Sequence, residues 1–148
     1  EAEDRLHMAA CLLVDSAARY HPDHRDAMAF EKALYTPLSG VSHTERVFLA
    51  AAIGWRYSRR FSVPKALANL LSSKQLRRAR QVGHSMRLGA VLSGRSADIL
   101  KRAALQKNGE CLVLRLPRSE AAMVSESVER RLNQTADILG LTPKVTLE

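Results

Sequence analysis

The chain has 148 residues, of which 46% are hydrophobic and 26% are charged. This length and composition are typical of one globular domain, alone or with a small appendage, and they exclude a disordered chain. The formal net charge of +8 favours a partner rich in phosphate. No apolar run is long enough to cross a membrane, and the two cysteines form no disulfide framework, so we expect a cytoplasmic protein.

The first half of the chain predicts helices. Apolar residues recur at helical spacing from Ala2 to Tyr20, which predicts one amphipathic helix that ends before Pro22. A shorter helix is predicted from Asp26 to Tyr35. The stretch Ser42-His43-Thr44-Glu45 has the spacing of a capping box, so a third helix should begin at His43.

The middle of the chain predicts a buried helix followed by two others. The run from Val47 to Trp55 is apolar on every side, as in a helix surrounded by neighbours, and we expect it to be central. A helix is predicted from Ser62 to Leu71, with Pro64 in its first turn. A longer helix, capped by Ser72 or Ser73, should run from Lys74 to Ser93. Its predicted core face consists of Leu76, Ala79, Gly83, Met86 and Ala90.

Strand signals and a last helix follow Gly94. Asn108-Gly109 is a favoured dipeptide for a two-residue hairpin turn, which should join a strand at 102–107 to one at 111–116. Ser119 and Glu120 should open a last helix that ends at Gly140, and residues 142–147 should add a short strand. The apolar face of that helix is predicted to be Val124, Val128, Leu132, Ala136 and Leu139. We therefore predict a mainly α fold of the α+β class, with a helical bundle over residues 1–95 and a β-hairpin and C-terminal helix over residues 96–148.

The excess positive charge is concentrated in one block. Residues 46–97 contain eleven Lys or Arg and no Asp or Glu. Several of these residues are three or four apart in the long helix, so they should share one face. The predicted track for a polyanion consists of Arg56, Arg59, Arg60, Lys74, Arg77, Arg78, Arg80, His84 and Arg87. The alternative is an ordinary solvated basic face without a ligand.

The remaining polar residues predict no active site. The segment His21-Pro22-Asp23-His24 has a loosely suitable spacing for a metal, but it falls in a predicted turn without a second cluster of ligands. Asp15 lies four residues before Arg19, which indicates an ordinary ion pair on a helix. No nucleophile with a neighbouring base and no glycine-rich phosphate loop is evident. We expect no catalytic residue, metal or cofactor in this chain.

Six stretches together have a recognisable pattern. They are Ala9–Asp15, Tyr20–Arg25, Ser42–Ala50, Trp55–Tyr57, Leu112–Pro117 and Arg130–Leu132. This pattern resembles the C-terminal region of the bacterial exopolyphosphatase and guanosine pentaphosphate phosphohydrolase family, in which an HD-like helical domain follows two actin-like domains. The resemblance covers nearly all of the chain.

The resemblance implies an accessory domain of a longer enzyme, and the start of the chain without Met fits that expectation. It implies an HD-like bundle that binds polyphosphate, threads it along a basic channel and supports a homodimer. Hydrolysis of phosphoanhydride bonds, with Mg, is then expected in N-terminal actin-like domains of the parent chain. Two departures are visible: Val14-Asp15 replaces the metal-binding His-Asp pair of true HD phosphohydrolases, and the basic stretch after Trp55 lacks the histidine of many relatives.

Two other functions remain open at this point. Asp15 and the nearby histidines are compatible with an autonomous HD-type metal-dependent phosphohydrolase. The charge alone is compatible with a nucleic-acid-binding module, although aromatic residues for base stacking are scarce. We therefore expect nucleic acid to be a poorer partner than polyphosphate.

Overall fold

The computed structural model describes residues 2–94 and 96–148. Arg95, the last residue of the predicted helical domain, lies outside this part of the chain. The chain divides into two compact units, Glu1–Met86 and Arg87–Glu148. The division falls within one helix.

The first unit is helical. It contains α1 (Ala2–Leu12), a 3-10 turn (Pro22–His24), α2 (Arg25–Tyr35), α3 (His43–Tyr57), α4 (Lys65–Ala68) and the first part of α5 (Ser73–Ser93). Helix α3 is central, since both α1 and α2 pack against it. None of the described helices combines the length and the hydrophobicity that a membrane crossing requires.

Helix α3 begins and is buried as predicted. The Ser42 hydroxyl accepts a 3.2 Å hydrogen bond from the Glu45 amide, and the Glu45 carboxylate accepts one of 2.9 Å from the Ser42 amide. These two bonds satisfy amides that a helix start otherwise leaves without partners. Every residue from Val47 to Trp55 is buried, which confirms the prediction of a helix enclosed by neighbours.

The first helix is shorter than predicted. Helix α1 ends at Leu12, and residues 13–20 form successive turns whose backbone hydrogen bonds span three residues. The predicted ion pair of Asp15 with Arg19 is also wrong, because Asp15 pairs with Arg56 at 3.6 Å. The periodicity of apolar residues continues through this segment, but its backbone is bonded instead to a side chain from α3, the hydroxyl of Tyr57.

The prediction for the helices after α3 is confirmed in part. The predicted helix from Ser62 to Leu71 contracts to α4, with Pro64 immediately before it. Helix α5 begins at Ser73, and Ser72 and Gln75 exchange hydrogen bonds of 2.9 Å and 3.2 Å in a second capping box. Of the predicted core face, Ala79, Gly83 and Met86 are buried, and Leu76 and Ala90 are half-buried.

The second unit contains a small sheet and a covering helix. Its elements after α5 are α6 (Ala97–Arg102), β1 (Ala104–Asn108), β2 (Cys111–Leu116), a 3-10 helix (Arg118–Met123), α7 (Glu126–Leu139) and β3 (Thr142–Leu147). The strand order is β1-β2-β3, with β1 antiparallel and β3 parallel to β2. The core joins buried residues of β2 and α7, among them Leu114 and Leu132. A helical bundle followed by a small sheet confirms the predicted α+β class.

Three boundaries in the second unit differ from the prediction. The strand predicted from residue 102 begins at Ala104, because the residues before it belong to α6. The hairpin turn is Gly109-Glu110 rather than Asn108-Gly109, since Asn108 still pairs with Cys111. The last helix begins at Glu126, where the Ser125 hydroxyl caps it, because residues 118–123 form a separate 3-10 helix. Its predicted end at Gly140 and the strand from Thr142 to Leu147 are confirmed.

Candidate functional site

A groove of about 350 Å³ opens in the first unit, beside the C-terminal end of α3. Its lining contains three arginines and no carboxylate. The lining residues are Trp55, Arg59, Arg60, Phe61, Ser62, Val63, Ala68, Leu76 and Arg80. Three of the nine residues predicted for the polyanion track therefore meet at one concave surface.

An aromatic pair forms the floor of this groove. Trp55, the last residue of the buried run of α3, is 6% exposed, and its indole nitrogen donates a 2.9 Å hydrogen bond to the carbonyl oxygen of Phe61. The two rings meet edge to face, with centroids 5.8 Å apart and planes at 84°. The Phe61 ring also packs against Phe30 of α2, at 5.3 Å between centroids. These contacts fix the loop after α3 against two helices.

Gly54 allows the Phe61 ring to lie directly on α3. A Cβ atom at Gly54 would be 2.4 Å from Cε1 of Phe61, closer than carbon atoms can approach. The chain therefore turns back along the end of α3, and the Ser58 hydroxyl accepts a 3.2 Å hydrogen bond from the Arg60 amide within the turn. Arg59 and Arg60 are both exposed at the rim of the groove.

Arg80 reaches the groove from α5. The two helices approach closely at Gly83, where a Cβ atom would be 2.5 Å from the carbonyl oxygen of Ala52 and 2.7 Å from Cβ of Trp55. Arg80 precedes Gly83 by about one helical turn and therefore points to the same side of α5. The glycine thus places a guanidinium of one helix beside the aromatic floor carried by the other.

Lys74 and Arg77 continue the positive surface along α5. Both are exposed, and Lys74 lies six residues and Arg77 three residues before Arg80. Within the described part of the chain, neither residue forms an ion pair. They extend the positive charge along α5 beyond the groove.

Two other predicted residues have carboxylate partners. Arg78 contacts the carboxylate of Glu3 in α1, and the hydrogen bond and charge of Arg78 are the main reasons that the pKa of Glu3 is lowered. Arg56 pairs with Asp15 at 3.6 Å and stacks on the ring of its neighbour Tyr57 at 4.7 Å. Residues 46–97 contain no Asp or Glu, but carboxylates from the start of the chain neutralise these two arginines of that block.

The expectation that His84 belongs to the exposed track is wrong. His84 is only 1% exposed and lies next to Gly83, where α5 approaches α3. The spacing of three and four residues predicts one exposed stripe along α5. Near Gly83, however, the buried part of the helix surface also includes His84. Arg87 is half-buried and belongs to the second unit.

The histidine-rich turn has a structural role. The His21 ring accepts a hydrogen bond of 3.4 Å from the Asp23 amide and caps the 3-10 helix, which lies in the predicted turn. In residues 2–94 and 96–148, no three His, Cys, Asp or Glu side chains are grouped as metal ligands. Asp15, the residue that suggested HD-type chemistry, is instead an exposed partner of Arg56.

The aromatic floor was not predicted from the sequence. Trp55 was expected to be a core residue, and Phe61 was assigned no role. A signal exists in retrospect: an aromatic pair six residues apart encloses the two adjacent arginines, Arg59 and Arg60.

The described residues define an α+β fold whose helical unit presents a basic groove. A family model described as the C-terminal region of exopolyphosphatase matches residues 1–145. The chain therefore belongs to this exopolyphosphatase family, as the resemblance predicted. A comparison with curated proteins found no match.

Proposed function

We propose that this domain binds polyphosphate for an exopolyphosphatase, and that the groove holding Arg59, Arg60 and Arg80 is the main contact. The proposal rests on one observation: three guanidinium groups surround one concave surface whose lining contains no carboxylate. The family assignment supports it, because the substrate named for the family is a polymer of phosphate groups.

Guanidinium groups suit this ligand for a physical reason. Each one can donate two parallel hydrogen bonds to the oxygens of a phosphate, and each contact releases counterions condensed on the polymer. Like charges that share a groove repel one another, so a bound anion relieves that repulsion as well as adding contacts. Lys74 and Arg77 would extend the contact along α5 and guide the chain as it is threaded.

In this proposal, catalysis lies outside this domain, in the rest of the parent enzyme. Hydrolysis of phosphoanhydride bonds, and the Mg that assists it, would belong to N-terminal actin-like domains of the parent chain. The domain would also support a homodimer of a cytoplasmic enzyme, in which the free thiols of Cys11 and Cys111 would stay reduced.

Binding of long-chain sodium polyphosphate to the purified chain, measured by calorimetry over a range of salt concentrations, tests the proposal. The triple variant Arg59→Gln, Arg60→Gln, Arg80→Gln should lose affinity by about tenfold or more, with a salt slope lower by about one for each lost phosphate contact. The matched control Arg19→Gln, Arg118→Gln, Arg130→Gln removes the same charge from exposed positions outside the groove.

The two triple variants distinguish a site from a general attraction. The control should retain most of the affinity of the unmodified chain, and single-stranded DNA should compete poorly for the groove. Equal losses in both variants would show that the arginines form only a solvated basic face. Equal competition by DNA would instead favour a nucleic-acid-binding module.

A further inference from the structure

We infer that Trp55 is a positioning residue, whose indole N–H holds the loop that presents Arg59 and Arg60 to an anion. The inference deepens the proposed function of the groove and rests on it. Its structural basis is the 2.9 Å hydrogen bond from Trp55 to the Phe61 carbonyl oxygen, which joins the two ends of the loop.

The loop between these two residues is closed at several points. The Ser58 amide makes the last hydrogen bond of α3, at 3.1 Å to the carbonyl oxygen of Gly54, and the Phe61 amide donates one of 3.3 Å to the Ser58 carbonyl oxygen. The Trp55 bond closes the larger ring around them. Both arginines lie inside this ring, so the position of their backbone depends on its closure.

The indole N–H and the indole ring have separable roles. Ring packing involves Phe61 and the gap at Gly54, and another aromatic side chain at position 55 would keep much of it. Among the hydrogen bonds of the described residues, the one that reaches the Phe61 carbonyl oxygen comes from this N–H. Trp55 lines the groove but is only 6% exposed, so we expect its main effect on a bound phosphate to come from the position of the arginines.

Loss of that one donor should weaken binding at constant charge. A loop that is no longer closed samples more conformations, and an anion that binds both guanidiniums must then restrict them, at a cost in affinity. The net charge is unchanged, so a general electrostatic attraction would not weaken. A change in affinity without a change in charge is therefore the signature of positioning.

The test uses Trp55→Phe, which keeps a ring and removes the donor. Its affinity for long-chain sodium polyphosphate should fall by about tenfold, and its salt slope should decrease, because fewer guanidiniums engage phosphate at once. The matched control is Tyr57→Phe on the same helix, which removes a hydroxyl that donates 2.9 Å to the Val14 carbonyl oxygen, away from the groove. This control should lower the melting temperature but leave affinity and slope unchanged.

A double-mutant comparison identifies the route of the effect. In the background Arg59→Gln, Arg60→Gln, the change Trp55→Phe should alter affinity by less than about twofold, because residues that act through one another are not additive. The inference is overturned if Trp55→Phe weakens binding no more than Tyr57→Phe, or if its full effect persists in that background. A different result, no loss from the arginine substitutions alone, would refute the proposed function itself.

Discussion

The hydroxyl of Tyr57 donates a 2.9 Å hydrogen bond to the carbonyl oxygen of Val14 and accepts one of 3.2 Å from the amide of Ala17. A side chain at the end of α3 thus supplies both a donor and an acceptor to backbone that a longer α1 would have bonded internally. The turn held in this way also carries Asp15, whose carboxylate reaches Arg56 at 3.6 Å. One tyrosine therefore fixes the segment after α1 to the end of α3.

Tyr57→Phe should lower the free energy of unfolding by about 1–2 kcal/mol, because two partly buried hydrogen bonds are lost and two backbone groups lose their partners. Urea denaturation measures the change. Hydrogen exchange should also accelerate at the Ala17 amide, with much smaller changes at the buried amides of α3. An unchanged denaturation midpoint would mean that the hydroxyl contributes nothing to the stability of the turn.

Two glycines of α5 should respond in opposite ways to alanine. At Gly83 a Cβ atom would meet the backbone of α3 at 2.5 Å, so Gly83→Ala should destabilise the protein by about 1–3 kcal/mol. At Gly89 the nearest atom would be 4.0 Å away, so Gly89→Ala should stabilise the helix by about 0.5–1 kcal/mol. Thermal unfolding of the two variants compares them directly, and a shift of the same sign in both would contradict the close approach at Gly83.

Protonation of Glu45 should lower the free energy of unfolding at acid pH. The hydrogen bond from the Ser42 amide, followed by the Ser42 hydroxyl and the charge of Arg5, lowers the pKa of this carboxyl below its ordinary value of 4.5. The unfolded chain therefore binds the proton more readily than the folded protein, so the stabilisation is complete above about pH 4.5 and is lost as the pH falls through the lowered pKa.

Glu45→Gln should flatten the stability curve below pH 4.5, because the variant has no proton to take up at this position. Denaturant midpoints measured from neutral to acid pH provide the curve. Glu31→Gln, at an exposed position of α2, removes the same charge and controls for the change in net charge. Parallel curves for the unmodified chain and Glu45→Gln would exclude this contribution.

Glu3 should act as an internal competitor for an anion. Its carboxylate contacts Arg78, and its pKa is lowered first by Arg78 and to a smaller extent by His7 and Lys74. If the groove and α5 bind polyphosphate, Glu3→Gln should raise the affinity severalfold by freeing Arg78. Glu126→Gln, which removes a carboxylate from α7, is the matched control. Equal gains from both variants would indicate a general effect of net charge.

Local signals in the sequence predicted part of this structure well. The capping box at Ser42 and the apolar run to Trp55 located α3, because both depend on residues close together in the chain. The strand from Cys111 to Leu116 and the helix end at Gly140 were predicted for the same reason. The family was also recognisable, since its pattern extends along nearly the whole chain.

Interactions between distant residues account for the errors. The predicted helix to Tyr20 was wrong because Tyr57, 43 residues after Val14, bonds to its backbone. The prediction that His84 belongs to the exposed polyanion track was wrong, because helical periodicity cannot reveal how much of a helix surface a neighbouring helix covers. The groove itself required Phe61 to fold back onto Gly54, and Phe61 lies in a loop, where helical and strand periodicities do not apply.

The pairing of Arg78 with Glu3 and of Arg56 with Asp15 has an evolutionary consequence. The opening segment of the chain sets how many cations of the basic block are available, although it shares no residue with the groove. Substitutions of Glu3 and Asp15 would therefore change the affinity for a polyanion without any change in the arginines. We expect such substitutions among relatives adapted to different salt concentrations.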